Sequence, residues 1–331
     1  MAKNTRHMTQ RLAADREGLA TAAAILRAGG LVAFPTETVY GLGADAVNPQ
    51  AVAGIYKAKG RPSFNPLIAH VADMDQARRE CAFSPVAERL AEAFWPGPLT
   101  LVLPLAEHAS VCDLARAGLP SLGLRMPDHE VAREIIAASG RPIAAPSANR
   151  SGHVSPATSA HVLADLDGRI DAVLEGGPCA VGLESTIVAV LDAHPRLLRP
   201  GGVPRAEIEL LIGDPLLEGG GGARPLAPGL LASHYAPCAS LRLNAEKLEP
   251  GEAGLDFGGR FSGTPQISGF RQMILDLSPS GDLTEAAANL FSHLRALDAC
   301  GADRIAAASI PAVGLGEAIN DRLRRAAAPR P

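Results

Sequence analysis

Short apolar segments that alternate with amphipathic helical segments constrain the fold of this chain most strongly. Candidate strands at 31–34 and 67–71 end at proline or a polar loop. Candidate helices at 49–57 and 84–94 begin with a capping Asn or Ser followed by proline. Further candidate strands lie at 99–103, 122–125, 143–145, 172–174, 185–190, 196–198, 240–243 and 304–307, and further candidate helices lie at 14–28, 128–138, 282–300 and 316–327. Because helices and strands alternate irregularly, we predict an α/β fold of the α+β type with a mixed sheet, rather than a regular doubly wound sheet.

A run of four glycines, Gly219–Gly222, separates two regions of different sequence texture. The chain has 331 residues, and a usual domain has ~100–200, so two domains are expected. Glycine-rich composition is typical of a linker. We therefore predict a larger domain over 1–212, a linker over 213–238 and a smaller α/β domain over 239–331.

Charge and cysteine content exclude several classes of protein. Lys and Arg total 31 against 35 Asp and Glu, which excludes a polycation but allows a local basic groove. The five cysteines show no CxxC spacing, which favours a reducing compartment. The N-terminal segment has no apolar signal core, and no apolar run is long enough to span a membrane. We expect a cytoplasmic location and no membrane partner.

Polar loops follow several candidate strands, where α/β proteins usually build their sites. The loop 57–66 carries two of the chain's four lysines beside Arg61 and two prolines, and such fixed cations suit a polyphosphate. Hydroxyl, amide and carboxylate groups recur in the loops 35–41, 146–152 and 182–187. Each of these loops is also compatible with a solvated surface loop or an ordinary Asx or Ser turn.

One glycine pattern resembles a dinucleotide-binding loop. Gly41–Ala46 matches GxGxxG/A, but six residues separate it from Phe34, the end of the strand it would have to follow. No P-loop pattern occurs. A nicotinamide site is therefore not favoured.

Seven segments, in their order along the chain, resemble the YrdC-like family of threonylcarbamoyl-AMP synthases. They are Phe34-Pro-Thr-Glu-Thr-Val-Tyr-Gly-Leu-Gly43, Lys59-Gly-Arg61, Phe94-Trp-Pro-Gly-Pro-Leu-Thr100, Leu124-Arg-Met-Pro127, Ala145-Pro-Ser-Ala-Asn-Arg-Ser-Gly152, Leu183-Glu-Ser-Thr-Ile187 and Leu198-Arg-Pro-Gly-Gly202. The tail resembles the additional domain of the long-form members. It carries Ser233-His-Tyr-Ala-Pro237, Ser278-Pro-Ser-Gly-Asp282 and Gly314-Leu-Gly-Glu-Ala-Ile-Asn-Asp-Arg-Leu323.

The resemblance implies a fold and a reaction. The expected fold is a twisted mixed sheet with a positive concave face, followed by a small Rossmann-like domain and a linker that crosses the site. The expected reaction joins L-threonine, bicarbonate or CO2, and ATP into threonylcarbamoyl-AMP, with release of pyrophosphate. Partner proteins then transfer the threonylcarbamoyl group to tRNA next to the anticodon. Mg²⁺ is expected on the ATP phosphates, with no metal ligand from the protein and no prosthetic group, and tRNA or double-stranded RNA is a possible contact.

The resemblance also implies roles for individual residues. L-Threonine is expected among Thr38, His70, Arg125, Ser147 and Ser185. ATP is expected to contact Arg61, Asn65, Ser121, Asn149, Ala157, Arg199 and Tyr235. Lys59 and Arg61 are the expected catalytic cations, and His70 is a candidate general base. Many members carry Ser-Pro-Thr where this chain has Ser155-Pro156-Ala157, so Ala157 retains only a backbone contact.

Two other classes of function remain compatible with the residues alone. One is a binding module that holds double-stranded RNA on a positive surface without chemistry. The other is a carbamoyl-transfer enzyme that uses carbamoyl phosphate, although this chain lacks the zinc-finger and acylphosphatase segments of those larger proteins. Threonine-dependent release of pyrophosphate from ATP would distinguish the adenylate-forming reaction from both.

Overall fold

The computed structural model describes residues 8–219, 226–228, 234–263 and 273–329. The strands of these residues are β1 (Gln10–Ala13), β2 (Val32–Phe34), β3 (Gly41–Asp45), β4 (Ile68–His70), β5 (Leu99–Pro104), β6 (Ser121–Arg125), β7 (Ile143–Ala144), β8 (Ala172–Glu175), β9 (Thr186–Ala189), β10 (Arg196–Arg199), β11 (Leu217–Glu218), β12 (Ser240–Ala245), β13 (Glu252–Asp256), β14 (Ile274–Asp276) and β15 (Arg304–Ala308). The helices are α1 (Arg16–Arg27), α2 (Pro49–Lys59), α3 (Met74–Glu80), α4 (Pro85–Phe94), α5 (Glu130–Ser139), α6 (Ser159–Leu166), α7 (Arg205–Ile212), α8 (Leu283–Ala299) and α9 (Leu315–Ala327).

Two sheets organise the described part of the chain. Eleven strands form one mixed sheet in the order β1-β8-β2-β3-β7-β4-β6-β5-β9-β10-β11. Four others form a parallel sheet in the order β12-β15-β13-β14, with α8 and α9 packed together beside it. The predicted mixed α/β fold with a second, smaller α/β unit is confirmed. No helix of the described ranges is both long and apolar enough to cross a bilayer.

For the helices predicted from the sequence, both ends lie within two residues of the observed ends, and α2 shows the local signals responsible. The side chain of Asn48 accepts hydrogen bonds from the amides of Gln50 and Ala51, and Pro49 occupies the first helical turn. The helix continues two residues beyond the predicted end at Lys57 and stops at Gly60, whose φ of 62° suits glycine. This extension buries Lys59 in the last turn of the helix.

The glycine pattern at 41–46 is a strand rather than a ligand loop. Gly41–Asp45 forms the buried strand β3, antiparallel to β2. A Cβ atom at Gly43 would lie 2.6 Å from the Phe34 ring, so this glycine permits close packing within the sheet.

The structure contains further elements that the sequence analysis did not predict. They are β1, β3, β11, β13, β14, α3, α6 and α7. Strand β13 combines charged residues with a glycine, and it is a buried strand because β14 and β15 pair with its two edges. Strand β11 pairs with β10 and lies inside the range 213–238 that was predicted as linker.

The smaller unit packs tightly against the larger one. Its apolar core includes Leu183 from the larger unit, and Gly182 meets the backbone of α8 so closely that a Cβ atom would lie 2.5 Å from Ala287 O. An ion pair of 2.8 Å also joins Arg205 to Glu317 of α9. Helices α8 and α9 are thereby held beside the segments that precede β9 and follow β10.

Candidate active site

A cavity lies where the ends of β4, β6 and β10 meet the loops that follow β2 and β7. It is lined by Thr36, Thr38, Val39, Gly41, Arg61, Ile68, His70, Arg125, Ala145, Pro146, Ser147, Glu184, Ser185, Arg199, Pro228, His234 and Tyr235. The space within these walls is about 520 Å³ when the part open to solvent is included. All five residues predicted around threonine line this cavity, as do three of those predicted around ATP.

The register of two parallel strands brings His70 and Arg125 together. These residues are partners at the ends of β4 and β6, so their side chains project from the same face of the sheet. Burial, with a smaller contribution from Arg125, lowers the pKa of His70 to about 3. The imidazole is therefore neutral at physiological pH, and it is a weak base.

Arg125 forms a buried ion pair with Glu37. Arg125 Nη2 donates to Glu37 Oε1 at 2.6 Å, and the two side chains are 5% and 9% exposed. Arg125 Nε donates to Gly97 O at 3.3 Å. These contacts fix the plane of the guanidinium, which suits bidentate recognition of a carboxylate.

Lys59 holds the loop that follows β7. Its ammonium donates to the carbonyl oxygens of Ser147 and Asn149, each at 2.5 Å. Burial lowers the pKa of Lys59 well below its usual value, and Arg61 lowers it further. Lys59 thus lies behind the cavity wall and sets the position of the loop that carries Ser147.

Arg61 is held by its own loop. Its Nη2 donates to Pro66 O at 2.9 Å and its Nε to Asn65 O at 3.3 Å. The hydroxyl of Tyr56 donates to the same Asn65 carbonyl. Burial lowers the pKa of Arg61 to about 10, so the guanidinium remains a cation at neutral pH. The prolines and these hydrogen bonds keep a positive charge at the cavity wall.

Ser185 and Arg199 lie at the cavity end of the β9–β10 pair. Arg199 Nη2 donates to Ser185 O at 2.9 Å, and its Nη1 donates to Pro228 O at 3.4 Å. The Ser185 hydroxyl shares a hydrogen bond of 2.7 Å with Thr100 Oγ1. Since Pro228 lies in the segment predicted as linker, this contact brings that segment to the cavity.

Tyr235 and His234 complete the wall from the same segment. Tyr235 adopts a φ of 64° and is buried, with its ring stacked 5.7 Å from that of Phe291 of α8. The rings of His234 and Tyr235 meet edge to face at 4.1 Å. Burial lowers the pKa of His234 to about 3, so this side chain is also neutral.

Glu184 is the acidic residue of the cavity lining. Its Oε1 accepts a hydrogen bond from the Ser155 hydroxyl at 2.5 Å, and its Oε2 accepts one from Arg322 Nε at 2.8 Å. Burial raises the pKa of Glu184, but the charges of Arg322 and Arg199 and the Ser155 hydroxyl outweigh it and lower the pKa to about 2. Glu184 is therefore ionised, and it partly balances the surrounding cations.

Four residues predicted to bind ATP lie outside the lining. Asn65 and Asn149 are buried beside Arg61 and Lys59, through the carbonyl contacts described above. Ser121 is buried at the start of β6, paired with Pro104 of β5. The amide of Ala157 donates to His161 Nδ1 at 3.3 Å, and its carbonyl accepts from the amide of Cys179.

Buried polar atoms without a partner concentrate around the cavity. Among the described residues, six of the nine such side-chain atoms belong to the lining or to the residues directly behind it. They are Glu37 Oε2, Asn65 Oδ1, His70 Nδ1, Asn149 Oδ1, His234 Nδ1 and Tyr235 Oη. Buried polar groups are normally hydrogen-bonded, so this concentration is typical of a site that completes its bonds with a ligand.

No role was predicted from the sequence for Glu37, Glu184 or Arg322. Each lies within a segment that carries the family resemblance, and that was the available signal. Their partners are 88 and 138 residues away along the chain, so only the folded chain reveals the ion pairs.

The fold and the cavity define a class: a two-unit α/β protein with a cation-lined small-molecule site beside the junction of the units. Comparison with known families is more specific. The chain belongs to the Sua5/YciO/YrdC family, whose model, described as "Telomere recombination", matches residues 24–201. A second model, described as "Threonylcarbamoyl-AMP synthase, C-terminal domain", matches residues 203–328.

Relatives match the chain over nearly its whole length. It is 43% identical over 335 residues to the threonylcarbamoyl-AMP synthase of Bacillus subtilis, covering 98% of this chain and 96% of the relative. It is also 43% identical to the threonylcarbamoyl-AMP synthase of Pyrococcus abyssi, covering 92% of each. The crystal structure of P. abyssi Sua5 complexed with L-threonine superposes with a TM-score of 0.85 at 38% identity, covering 97% of each chain.

Proposed function

We propose that this chain synthesises threonylcarbamoyl-AMP and pyrophosphate from L-threonine, bicarbonate or CO2, and ATP. The observation that carries this function is the 43% identity over 98% of the chain to a protein named as such a synthase. The cavity supports it independently, because it combines Arg125, whose guanidinium is held in place by Glu37, with two further buried arginines. The activity is that of a nucleotidyltransferase that serves tRNA modification.

We propose that threonine occupies the part of the cavity formed by β4, β6 and the loop after β7. The guanidinium of Arg125, oriented by Glu37, would bind the carboxylate. The hydroxyls of Thr38, Ser147 and Ser185 lie on the same lining and would bind the remaining polar groups of the substrate.

We propose that ATP lies towards Arg61, Arg199 and Tyr235. The two guanidinium groups would neutralise the phosphates, and their fixed positions favour a charged transition state. Asn65 and Asn149 each have a buried side-chain oxygen without a partner among the described residues, which supports a polar contact with the nucleotide. The predicted ATP contacts of Ser121 and the Ala157 backbone would need a rearrangement of this wall.

The reaction proceeds in two steps that need no covalent enzyme intermediate. The neutral amine of threonine adds to CO2 and gives a carbamate with release of one proton to solvent; addition to bicarbonate gives the same carbamate and one molecule of water. A carbamate oxygen then attacks the α-phosphorus of ATP, and the bond to the β-phosphate oxygen breaks with release of pyrophosphate. Positioning and charge neutralisation supply most of the catalysis. Arg61 is the proposed catalytic cation at the wall, and Lys59 contributes from behind the 146–152 loop.

We propose that Mg²⁺ enters on the phosphates of ATP. Mg²⁺ commonly binds through substrate phosphates with few protein ligands. The described ranges contain no cluster of three or more His, Cys, Asp or Glu side chains suited to a metal ion, and Glu184 is already bound by Arg322 and Ser155. The described lining therefore fits a Mg²⁺ ion that is carried by the phosphates of ATP.

We also propose the remaining features predicted from the sequence. They are the domain division at 1–212, 213–238 and 239–331, the linker across the site, the cytoplasmic location, the proteins that transfer the threonylcarbamoyl group, and contact with tRNA or double-stranded RNA. The contacts of Pro228 and Tyr235 with the cavity support the linker proposal.

The function is tested with MgATP and radiolabelled bicarbonate, with and without L-threonine. We expect pyrophosphate and a labelled adenylate only when threonine is present. Arg199→Ala should abolish turnover, whereas Arg196→Ala, at the exposed end of the same strand, should not. Threonine-independent turnover, or no turnover by the wild-type chain, would refute the proposed function.

A further inference from the structure

A buried arginine from the smaller unit reaches the wall of the cavity. Arg322 lies on α9 of the smaller unit, whereas the cavity strands belong to the larger unit. Its side chain is fully buried. Its guanidinium donates from Nε to Glu184 Oε2 at 2.8 Å and from Nη2 to Pro200 O at 3.0 Å. Its Nη1 donates to Asp321 Oδ2 at 2.7 Å.

The two acceptors in the larger unit lie next to two proposed substrate contacts. Glu184 precedes Ser185 at the start of β9, and Pro200 follows Arg199 at the end of β10. Strands β9 and β10 are antiparallel neighbours, so these four residues lie at one end of the pair. The Arg322 guanidinium therefore joins the segment before β9 to the segment after β10 at the point where both reach the cavity.

The same end of the strand pair is otherwise closely packed. The amide of Gly202 donates to Glu184 O at 3.0 Å, and a Cβ atom at Gly201 would lie 2.4 Å from that oxygen. Arg322 also lies over the ring of Tyr235, with Cζ 5.2 Å from the ring centroid. The position of Arg322 therefore affects three parts of the wall together.

We propose that Arg322 is a positioning residue for adenylate formation: by binding Glu184 and the Pro200 carbonyl, it sets the positions of Ser185 and Arg199. This inference rests on the proposed function, because it assigns substrate contacts to those two residues. The smaller unit thus contributes to the geometry of the active site through one side chain. Truncation or displacement of this side chain loosens the wall even where the rest of the unit stays docked.

The planar guanidinium suits this task better than an ammonium. A guanidinium presents its donors in a fixed fork, and here each of its three nitrogens donates to a different acceptor. Lysine at this position keeps the charge but lacks the fixed fork. Arg322→Lys should therefore restore part of the activity that Arg322→Gln loses.

Steady-state kinetics of pyrophosphate release, with thermal unfolding in parallel, test the proposal on the full chain. We expect Arg322→Gln to lower kcat/KM at least ~10-fold, a size that a 1 Å misplacement of reacting groups can reach. Glu317→Gln is the matched control, because it removes the Arg205 ion pair from the same helix without touching the cavity. It should stay within about twofold of the wild type.

A double variant separates positioning from folding. Arg322→Gln leaves Glu184 buried without its partner, which destabilises the fold. Arg322→Gln combined with Glu184→Gln removes both charges, so it should unfold at a higher temperature than Arg322→Gln. Its kcat/KM should remain at least ~10-fold low, but its loss should be smaller than the product of the two single losses, since both changes disrupt one contact.

Several results would overturn the proposal. They are wild-type kcat/KM in Arg322→Gln or in the double variant, equal losses in Arg322→Gln and Glu317→Gln, or single losses that multiply in the double variant. A wild-type chain without threonine-dependent turnover would instead refute the proposed function, and this inference with it.

Discussion

Replacement of Lys59 by methionine tests whether this buried lysine acts by holding the 146–152 loop. The ammonium donates to the carbonyl oxygens of Ser147 and Asn149, and methionine preserves most of its length without a donor. The change leaves two buried carbonyl groups without their charged partner. We therefore expect Lys59→Met to lower both the stability of the fold and the affinity for substrates.

The magnitude follows from the two hydrogen bonds. A hydrogen bond to a charged group contributes ~1.5–3 kcal/mol, so the pair contributes ~3–6 kcal/mol. Burial disfavours the charged form of Lys59 and lowers its pKa. Methionine removes this cost of burying a cation, and we take that gain to offset about half of the free energy lost with the two hydrogen bonds. The remaining ~1.5–3 kcal/mol corresponds to a fall in Tm of ~3–12 °C for a domain of this size.

Thermal unfolding and initial-rate kinetics measure the two effects. Because Ser147 is proposed to contact threonine and Asn149 to contact ATP, the KM values for both substrates should rise. Lys57→Met is the matched control, since Lys57 is exposed on the same helix two residues earlier. Equal Tm values for the Lys59 and Lys57 variants, or a rise in the KM for ATP alone, would refute the loop-holding role.

Three further predictions concern the same wall and the junction behind it. Glu37→Gln removes the charge that orients Arg125, so it should lower the free energy of unfolding by ~2 kcal/mol and raise the KM for threonine; an unchanged threonine KM would contradict this. The pKa of His70 is about 3 in the folded chain, below the value of 6.5 in the unfolded chain. Between these two pH values the unfolded chain therefore binds more protons than the folded chain. The free energy of unfolding falls as the pH drops through this range. Denaturant unfolding of His70→Leu should show a shallower loss towards acid than the wild type, and parallel slopes would exclude this linkage. Gly182→Ala should lower Tm more than Gly140→Ala, because both have positive φ but only Gly182 meets the α8 backbone; equal shifts would show that strain alone matters.

The helices that carry local start and stop signals were predicted well from the sequence. Asn48 and Ser84 accept the amide hydrogen bonds expected of capping residues, and the proline after each one lies in the first helical turn. These signals act within a few residues, so they can be read without knowledge of the fold. The predicted end of α2 lies two residues before the observed end, and those two residues include the buried Lys59.

Strands that depend on their neighbours were not predicted. β3 contains two glycines and β13 contains glycine and two acidic residues, and neither composition is typical of a strand. Both are nonetheless buried and paired on each side within their sheets. Pairing and burial outweighed local preference here, because cross-strand contacts involve residues far apart in the chain.

The sequence by itself determined the α/β class, the order of polar loops and, through the resemblance they carry, eight of the residues that line the cavity. It could do so because each loop is a short local segment, and the order of these segments along the chain carries the resemblance. Only the tertiary structure decided which charges face each other: Glu37 with Arg125, Glu184 with Arg322. Those pairs join residues 88 and 138 positions apart, and their strength depends on burial that exists only in the folded chain.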